Sequence, residues 1–285
     1  MDIKKELEEM NRNMVHLSIK EKADYICGAT RFGGAPDVPQ DFVWPTFEVK
    51  AYSDNEIKVR PLSFIAQFNC AEISVLDKEG LLPQTGVLSF FYEMDSQLWG
   101  FDPKDMGCAR VYWFEQIPSL TAAKFPVDLP EEFCFPQLKM KASSEKSLPS
   151  FEDVFLGRER VYLERFGDFD LFDHTRKELG YTTPENASKL LGWPDVIQNN
   201  MTKECELISR GYYLGDGWKD IPQCDLYESA KTSIEDWRLL FQLDTVKYED
   251  FELMFGDCGR LFFYIRKEDL VARRFDRVWL ILQCS

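Results

Sequence analysis

The chain has 285 residues and a formal net charge of −15 at pH 7, with 45% hydrophobic and 29% charged residues. This length suits one large domain or two ordinary ones, and the composition is that of a globular protein. The charge argues against nucleic acid and anionic membranes as partners, because both attract clustered Lys and Arg, and no apolar run approaches the roughly 20 residues of a membrane span.

The first predicted element is an amphipathic amino-terminal helix over residues 2–25. Apolar residues recur at spacings of four, three and four from Ile3 to Met14, which is a helical period. The segment Arg31–Pro45 follows, with the sequence RFGGAPDVPQDFVWP. Its glycines and prolines favour either a rigid bend or a ligand-cradling loop over a regular element.

Later segments alternate between strand and helix patterns. The predicted strands are Leu62–Phe68, Gly86–Glu93, Ala109–Ile117, Asp236–Thr245, Gly259–Ile265 and Asp276–Cys284. The predicted helices are Asn69–Leu76 with Asn69 as N-cap, two near 151–165 and 173–179, and Lys267–Arg273. Residues 118–182 are otherwise predicted to be irregular, since Pro, Ser and charge clusters dominate them.

An internal repeat links the two halves of the chain. The pattern G-x-P-D-V-x-Q occurs in Arg31–Gln40 and again in Lys189–Gln198. Three strand matches follow in the same order and pair Gln67 with Gln242, Gly86 with Gly259, and Arg110 with Arg277. Recurring Phe, Leu and Val would explain the strand matches alone, but they do not explain the G-x-P-D-V-x-Q match.

We therefore predict one domain over residues 1–285, built of two repeats at about 25–117 and 183–285 that are joined by the irregular segment 118–182. The fold class is α+β, with mainly antiparallel sheets from two pseudo-symmetric repeats and an amino-terminal helix. Each repeat would bury its apolar sheet face on the other. Ligand pockets favour such junctions, so a groove is expected there.

Several motifs together carry a family resemblance. They are FGGAPDVPQDFVWP, PLSFIAQFN, LLPQTGVLSFFYE, LLGWPDVIQ, WRLLFQLDT, FGDCGRLFFYI and FDRVWLILQCS. In this order they resemble the bacterial YwqG-like family, a domain of unknown function, over about residues 25–285. The resemblance implies a cytosolic bacterial protein with an α+β fold, and it brings no activity, cofactor or catalytic residue. Phe255 stands where many relatives have Trp.

Eight residues are candidates for ligand binding: Arg31, Asp37, Trp44, Gln67, Trp193, Asp195, Gln198 and Gln242. The two aspartates either face each other across the repeat axis or cap N–H groups in their own turns. The two mid-strand glutamines either read a polar ligand or tie their strands to the G-x-P-D-V-x-Q loops. The two tryptophans either stack on a ligand or cover a core.

Catalytic patterns are weak. Asp257, in the turn FGDCG, has no counterpart in the first repeat and is the one catalytic candidate; the alternative is a hairpin turn that favours Asp. The acidic stretch from Asp168 to His174 lacks the Gly and Glu of a calcium loop and is predicted to be solvated. His16, placed in the first helix, has no nucleophile motif around it.

The eight cysteines form no C-x-x-C pair. They are Cys27, Cys70, Cys108, Cys134, Cys205, Cys224, Cys258 and Cys284. The amino terminus is charged from residue 2 and shows no secretory signal, so we predict reduced thiols in a cytoplasmic protein. Without closely spaced Cys or His ligands, no metal or other cofactor is expected.

Two functions remain open at this point. The first is a non-enzymatic binding protein, a monomer or weak dimer, that holds a protein or peptide partner in the groove between the repeats. The second is a carboxylate-dependent, possibly metal-assisted hydrolase that uses Asp257.

Overall fold

A computed structural model describes residues 3–154, 168–182, 184, 186–215 and 217–285. In chain order the strands are β1 (Arg12–Lys22), β2 (Arg31–Phe32), β3 (Asp37–Val38), β4 (Thr46–Lys50), β5 (Ile57–Pro61), β6 (Ser63–Asn69), β7 (Val87–Tyr92), β8 (Ala109–Phe114), β9 (Thr121–Ala122), β10 (Leu138–Ser147), β11 (Lys189–Leu191), β12 (Trp237–Leu243), β13 (Val246–Tyr248), β14 (Phe251–Leu253), β15 (Arg260–Arg266) and β16 (Trp279–Gln283). The helices are α1 (Ile3–Glu9), α2 (Cys70–Ile73), α3 (Phe151–Val154), α4 (Phe169–Glu178), α5 (Met201–Ser209), α6 (Gln223–Asp236) and α7 (Lys267–Val271).

Ten of these strands form one sheet, in the order β16-β15-β12-β11-β1-β10-β2-β6-β7-β8. All of its pairings are antiparallel. Three small two-stranded sheets pair β3 with β9, β4 with β5 and β13 with β14. The mixed helix and sheet architecture with antiparallel sheets confirms the predicted fold class at that level.

The main core lies between the two ends of this sheet. Phe90 on β7 packs against Phe241 on β12 and Phe263 on β15, with ring centroids 4.9 and 5.2 Å apart. Strands from opposite ends of the sheet order therefore face each other, which requires the sheet to curl strongly. Full burial of each ring contributes about 1.5–3 kcal/mol, and the high Phe content serves this core.

The two edge strands are shielded by the segments beside them. The backbone N–H of Leu282 on β16 donates to the carbonyl of Trp99 at 3.1 Å, and the indole N–H of Trp279 donates to the carbonyl of Gly100 at 2.9 Å. At the other end, Trp113 on β8 packs against Phe275 at 6.4 Å between ring centroids. Covered edges remove a template for edge-to-edge aggregation.

Gly100 marks the tightest of these approaches. Its φ is +75°, and a Cβ atom there would lie 1.8 Å from the carbonyl oxygen of Leu280. We expect Gly100→Ala to lower the free energy of unfolding by more than about 3 kcal/mol, measured by urea titration. The matched control is Gly80→Ala, at φ +66° with no atom within 4 Å, which should lose only about 1 kcal/mol. Equal losses for the two variants would contradict this explanation.

The outer face of the sheet, away from the main core, is covered at both ends. Helices α5 and α6 pack over Trp237, Phe262 and Tyr264 in the second half. The segment leading into the β4–β5 hairpin packs over Phe64 and Phe91 in the first half. Between these covers lies the outer face of the central β1–β10 pair. This face meets solvent through the exposed side chains of Lys20, Lys139 and Lys141 and the partly buried His16 and Ser18.

The predicted amino-terminal helix over residues 2–25 is wrong beyond Glu9. Helix α1 ends there, and β1 begins at Arg12 and runs through the centre of the sheet. Val15, Leu17 and Ile19 point into the main core, while the residues between them face outward. This alternation is the period of a half-buried strand, and the helical spacing from Ile3 to Met14 spans two different elements by coincidence. His16 therefore lies on a strand.

The predicted irregular segment 118–182 is also wrong in its middle part. It contains β10, ten residues long and paired along its length with β1. The predicted helix near 173–179 corresponds to α4, which begins earlier, after the N-cap Asp168. Of the predicted helix near 151–165, α3 forms the first turn, and residues 155–167 lie outside the described residues.

The remaining predicted elements are present, with bounds that are narrower or shifted by one residue. Asn69 caps α2 as predicted, its side chain accepting from the N–H of Ala71. The last strand begins only at Trp279, because Phe275–Arg277 forms a turn of 3₁₀ helix. In the described part of the chain, no helix combines the length and apolar character needed to span a membrane.

Candidate functional site

The first G-x-P-D-V-x-Q loop is held by a buried group that we call the first clasp: Arg31, Asp37 and Gln67. Asp37 Oδ2 accepts from Arg31 Nη1 at 2.8 Å and from Gln67 Nε2 at 2.7 Å, while the N–H of Asp37 donates to Gln67 Oε1 at 3.0 Å. The same carboxylate accepts from the N–H of Gly28 at 2.7 Å and from the Tyr25 hydroxyl at 3.0 Å. All three clasp side chains are at most 1% exposed.

The glycine pair of this loop has a steric cause. Gly33 has φ +59°, and a Cβ there would lie 2.3 Å from the carbonyl oxygen of Pro136. The next residue, Gly34, donates its N–H to the carbonyl of Phe135 at 3.0 Å. The glycines therefore let the loop turn tightly against the segment before β10, which is a packing reason for a bend at this place.

The ion pair decides the ionisation of the first clasp. Burial alone would raise the pKa of Asp37, but the hydrogen bond and charge of Arg31, with the Gly28 N–H and the Gln67 amide, hold it below its ordinary value. Asp37 is thus a carboxylate at neutral pH. Among the described residues, its two oxygens accept hydrogen bonds from Arg31 and Gln67 of the first clasp and from Tyr25 and Gly28, which precede it.

A second clasp repeats this arrangement with Lys189, Asp195 and Gln242. Asp195 Oδ2 lies 2.5 Å from Lys189 Nζ and accepts from Gln242 Nε2 at 2.8 Å, and the N–H of Asp195 donates to Gln242 Oε1 at 2.9 Å. The hydroxyl of Tyr181 donates to Asp195 Oδ1 at 2.9 Å. Burial opposes ionisation of both partners, yet their mutual attraction lowers the pKa of Asp195 and raises that of Lys189.

The two clasps lie on opposite sides of the central strand pair. Arg31 is on β2, next to β10, and Lys189 is on β11, next to β1. Three strand spacings separate β2 from β11, which is about 14 Å. Asp37 and Asp195 therefore flank the β1–β10 pair, and each carboxylate is occupied in its own clasp.

The two candidate tryptophans cover apolar surface. Trp193 is 3% exposed and donates its indole N–H to the carbonyl of Met10 at 2.8 Å, with the guanidinium of Arg12 3.5 Å from its ring centroid. Trp44 donates its indole N–H to the carbonyl of Leu62 at 2.8 Å and packs edge-on against Phe91.

The other two candidates are exposed. Gln198 contributes its backbone N–H, which donates to Gln283 Oε1 at 3.1 Å. Asp257 sits in the turn between Phe255 and Gly259, and its carbonyl accepts from the N–H of Ser285 at 2.9 Å. The structure brings Asp257 to neither clasp. Within the described residues, no three Cys, His, Asp or Glu side chains are close enough to hold a metal ion together.

A long groove follows β1 on the outer face, and the sequence interpretation missed it. It consists of three adjoining clefts of about 450, 410 and 570 Å³. The first two share Lys146, Leu148 and Leu179, and the last two share Pro184. We call this the β1 groove. Its floor runs from Asn11 to Lys20, nine residue steps along a strand, or about 30 Å.

The two walls of the β1 groove come from different parts of the chain. One wall carries Leu179, Tyr181, Pro184 and Asn186, and Tyr181 connects it to the second clasp. The other side carries Glu145 and Lys146 of β10. The floor alternates with core positions of β1, so the strand fixes the spacing of the side chains that face the groove.

Comparison with known proteins fits this architecture. The sequence pattern of DUF1963, a domain of unknown function, matches residues 30–284. The chain belongs to the DUF1963 family. No curated protein sequence matches it significantly. The DUF1963 match begins one residue before Arg31 and so includes both clasps, together with most of the ten-stranded sheet.

This DUF1963 domain also buries two carboxyls that lack full hydrogen bonding. Glu204 on α5 is 2% exposed and Asp153 on α3 is 1% exposed. Glu204 Oε2 and Asp153 Oδ1 have no hydrogen-bond partner among the described residues. Burial raises the pKa of Glu204 to about 8 and that of Asp153 to about 7. Both side chains therefore bind protons in the folded state near neutral pH.

Proposed function

We propose that the chain arose by internal duplication, and that it functions by binding a partner protein or peptide. Support for the duplication comes from matching strand registers. Arg31 pairs with Gln67 as Lys189 pairs with Gln242. The β6–β7 pairing shifts register between Phe64 and Ala66, and the β12–β15 pairing shifts between Leu239 and Phe241.

Hydrogen bonds outside the clasps also match. The Thr30 hydroxyl accepts from the N–H of Asn69 at 2.9 Å, and the Ser188 hydroxyl accepts from the N–H of Asp244 at 3.1 Å. Thr30 and Ser188 each directly precede the first clasp residue of their half, Arg31 or Lys189. Recurring apolar composition does not generate such a polar match.

One part of the sequence alignment needs correction. Arg110 was matched with Arg277, but Arg110 pairs with Phe91 whereas Arg277 lies before the last strand. Phe91 and Tyr264 lie equally far beyond Gly86 and Gly259, and Tyr264 pairs with Trp279. Arg110 therefore corresponds to Trp279. The sequence match is misleading because Arg277 and Val278, which match Arg110 and Val111 in type, lie before β16 begins at Trp279.

For the function itself, we propose a non-enzymatic binding protein that holds an extended segment of a partner protein or peptide in the β1 groove. The observation that carries this proposal is the groove of about 30 Å along the central strand, open to solvent between the two covered ends of the sheet. An extended segment of about nine residues has this length. The second clasp supports the proposal indirectly, since Tyr181 lines the groove and donates its hydroxyl to Asp195.

The proposal includes a cellular setting and an oligomeric state. The resemblance to YwqG-like proteins supports a bacterial, cytoplasmic protein, and the binding role requires no more than a monomer or a weak dimer. The alternative proposal, a carboxylate-dependent hydrolase, rests on Asp257, whose exposed turn position gives it less support than the groove has.

Site-specific photocrosslinking tests the binding proposal. We expect a photoreactive residue at Ser18, on the groove floor, to crosslink one partner in cells of the source organism, with the adduct mapped to an extended segment. The same residue at Ile57, which is 71% exposed on the β4–β5 hairpin, is the control. Ser143→Trp should abolish the adduct, because Ser143 pairs with His16 across the groove floor. Identical adducts from both positions, or none from Ser18, would contradict the proposal.

A further inference from the structure

The β1 groove is not uniform along its length. The largest of its three clefts, of about 570 Å³, lies at the Lys20 end and is lined by Ile19, Pro184 and several polar side chains. The polar ones include His16, Ser18, Lys20, Asn186, Thr245 and Lys247. Two of these six are lysines, in a chain whose net charge is −15.

Among the described residues that line this cleft, Asp244 is the acidic one, and its carboxylate is already compensated. Its Oδ2 lies 3.1 Å from Arg260 Nε and accepts from the N–H of Ala187 at 3.0 Å. Its Oδ1 accepts from the N–H of Thr245 at 2.7 Å. A carboxylate held in this way adds little negative potential to the space beside it.

The two lysines are less fully engaged, whereas both ring nitrogens of His16 are occupied: Nε2 lies 3.1 Å from the carbonyl oxygen of Asn186, and Nδ1 lies 3.6 Å from Glu145 Oε1. Lys20 is exposed and forms no ion pair with any described residue. Lys247 pairs with Glu252 at 2.8 Å, but both side chains are about half exposed or more, and such a surface pair contributes little. At physiological ionic strength the Debye length is about 8 Å, so charges elsewhere on the chain are largely screened at this cleft, and the two ammonium groups supply its local positive charge.

Hydrogen-bond donors complete the cleft. Ser18 and Thr245, which carry hydroxyl groups, line the same cleft as the two lysines. Ammonium and hydroxyl donors around a cleft of this size suit a carboxylate, since donors to a charged acceptor make the stronger hydrogen bonds.

We infer that this cleft is a carboxylate subsite, which receives an acidic side chain or the terminal carboxylate of the segment bound in the β1 groove. The inference rests on the proposed binding function and adds a specificity to it: the partner segment carries a negative charge where it lies over Lys20 and Lys247. The other two clefts are lined by both Lys and Glu side chains. The partner segment therefore needs a negative charge only at the Lys20 end of the groove.

Titration with short peptides tests the subsite. Tri-glutamate, with blocked ends, should shift the backbone NMR signals of Ser18, Lys20, Thr245 and Lys247, and tri-glutamine at equal concentration should not. The Lys20→Glu/Lys247→Glu variant should bind tri-glutamate at least tenfold more weakly. The matched control, Lys104→Glu/Lys231→Glu, makes the same change in net charge at two exposed positions outside the groove and should bind within twofold of the wild type.

Three results would overturn the subsite. They are equal shifts with tri-glutamine, equal weakening in both double variants, and saturation of the same signals by inorganic phosphate at lower concentration than by tri-glutamate. The last result would assign the cleft to a free anion. The photocrosslinking result at Ser18 is independent of these outcomes. A mapped partner segment without an acidic group over Lys20 would refute the subsite and leave the binding function intact.

Discussion

Asp195→Ala is expected to lower the free energy of unfolding by about 3–5 kcal/mol, because it leaves the ammonium of Lys189 buried without its partner. The side chains of the pair are 1% and 2% exposed, so the unpaired ammonium would lie out of contact with bulk solvent. Gln242 and Tyr181 would lose a hydrogen-bond partner in the same change. Urea unfolding at pH 7 measures the loss, and Asp37→Ala should behave alike in the first clasp.

The control for the clasp variants is Asp257→Ala. Its exposed carboxylate has no buried partner, so the loss should stay below about 0.5 kcal/mol. The double variant Lys189→Met/Asp195→Leu separates charge from packing, since it removes both charges together. It should be more stable than Asp195→Ala alone. A double variant at least as unstable as the single one would show that the ion pair is not what holds the second clasp.

The clasps were largely predictable because their residues recur in the sequence. The repeated G-x-P-D-V-x-Q pattern identifies Asp37 and Asp195, and the strand matches identify Gln67 and Gln242. For the glutamines the sequence left two roles open, ligand binding or a tie between strand and loop, and the structure contains the tie. Tyr25 and Tyr181 were missed. Tyr25 lies 12 residues before Asp37, and Tyr181 lies 14 residues before Asp195. An ungapped alignment of the two halves therefore does not pair these tyrosines.

The β1 groove could not be predicted, because the sequence patterns indicate a helix over residues 2–25 and an irregular segment over 118–182, where the structure has β1 and β10. β1 and β10 are buried on one face and solvated on the other, so half of their residues are polar. In β10 the sequence LKMKASSEKS offers few of the β-branched and aromatic residues that mark a strand. In β1, Val15, Leu17 and Ile19 alternate with polar residues, as in a half-buried strand. The helical spacing from Ile3 to Met14 extends past the end of α1 at Glu9 into this strand, and it therefore favours a helix where the strand lies. Strands that are apolar on both faces, such as β7 and β12, were recognised at once.

The buried carboxyl of Glu204 is expected to make the protein less stable as the pH rises. Its pKa is about 8 in the folded protein against an ordinary value of 4.5. Between these values the unfolded chain releases a proton that the folded protein keeps, so the free energy of unfolding falls with increasing pH and levels off above about pH 8. Asp153, with a pKa of about 7, acts in the same direction.

The clasp carboxylates do not obscure this effect. Their pKa values are lowered, so the stability they contribute is complete above their ordinary pKa and is lost only as the pH falls through the lowered value. Lys189, whose pKa is raised, loses its contribution only above its ordinary value of 10.5. Between pH 5 and pH 9 the charges of both clasps are therefore constant, so the clasps do not contribute to the pH dependence of stability in this range.

Glu204→Gln removes one of these acids while keeping its shape. We expect the difference in unfolding free energy between pH 5 and pH 9 to shrink by on the order of 3 kcal/mol relative to the wild type. Urea titrations at both pH values measure this difference. Because the two values of each protein are subtracted from one another, the cost of burying the new amide, which is the same at both pH values, cancels. The control Glu228→Gln alters an exposed residue of α6 and should leave the difference unchanged. If Glu204→Gln also leaves it unchanged, Glu204 is ionised in the folded protein, and the space between α5 and the sheet must hold a compensating charge.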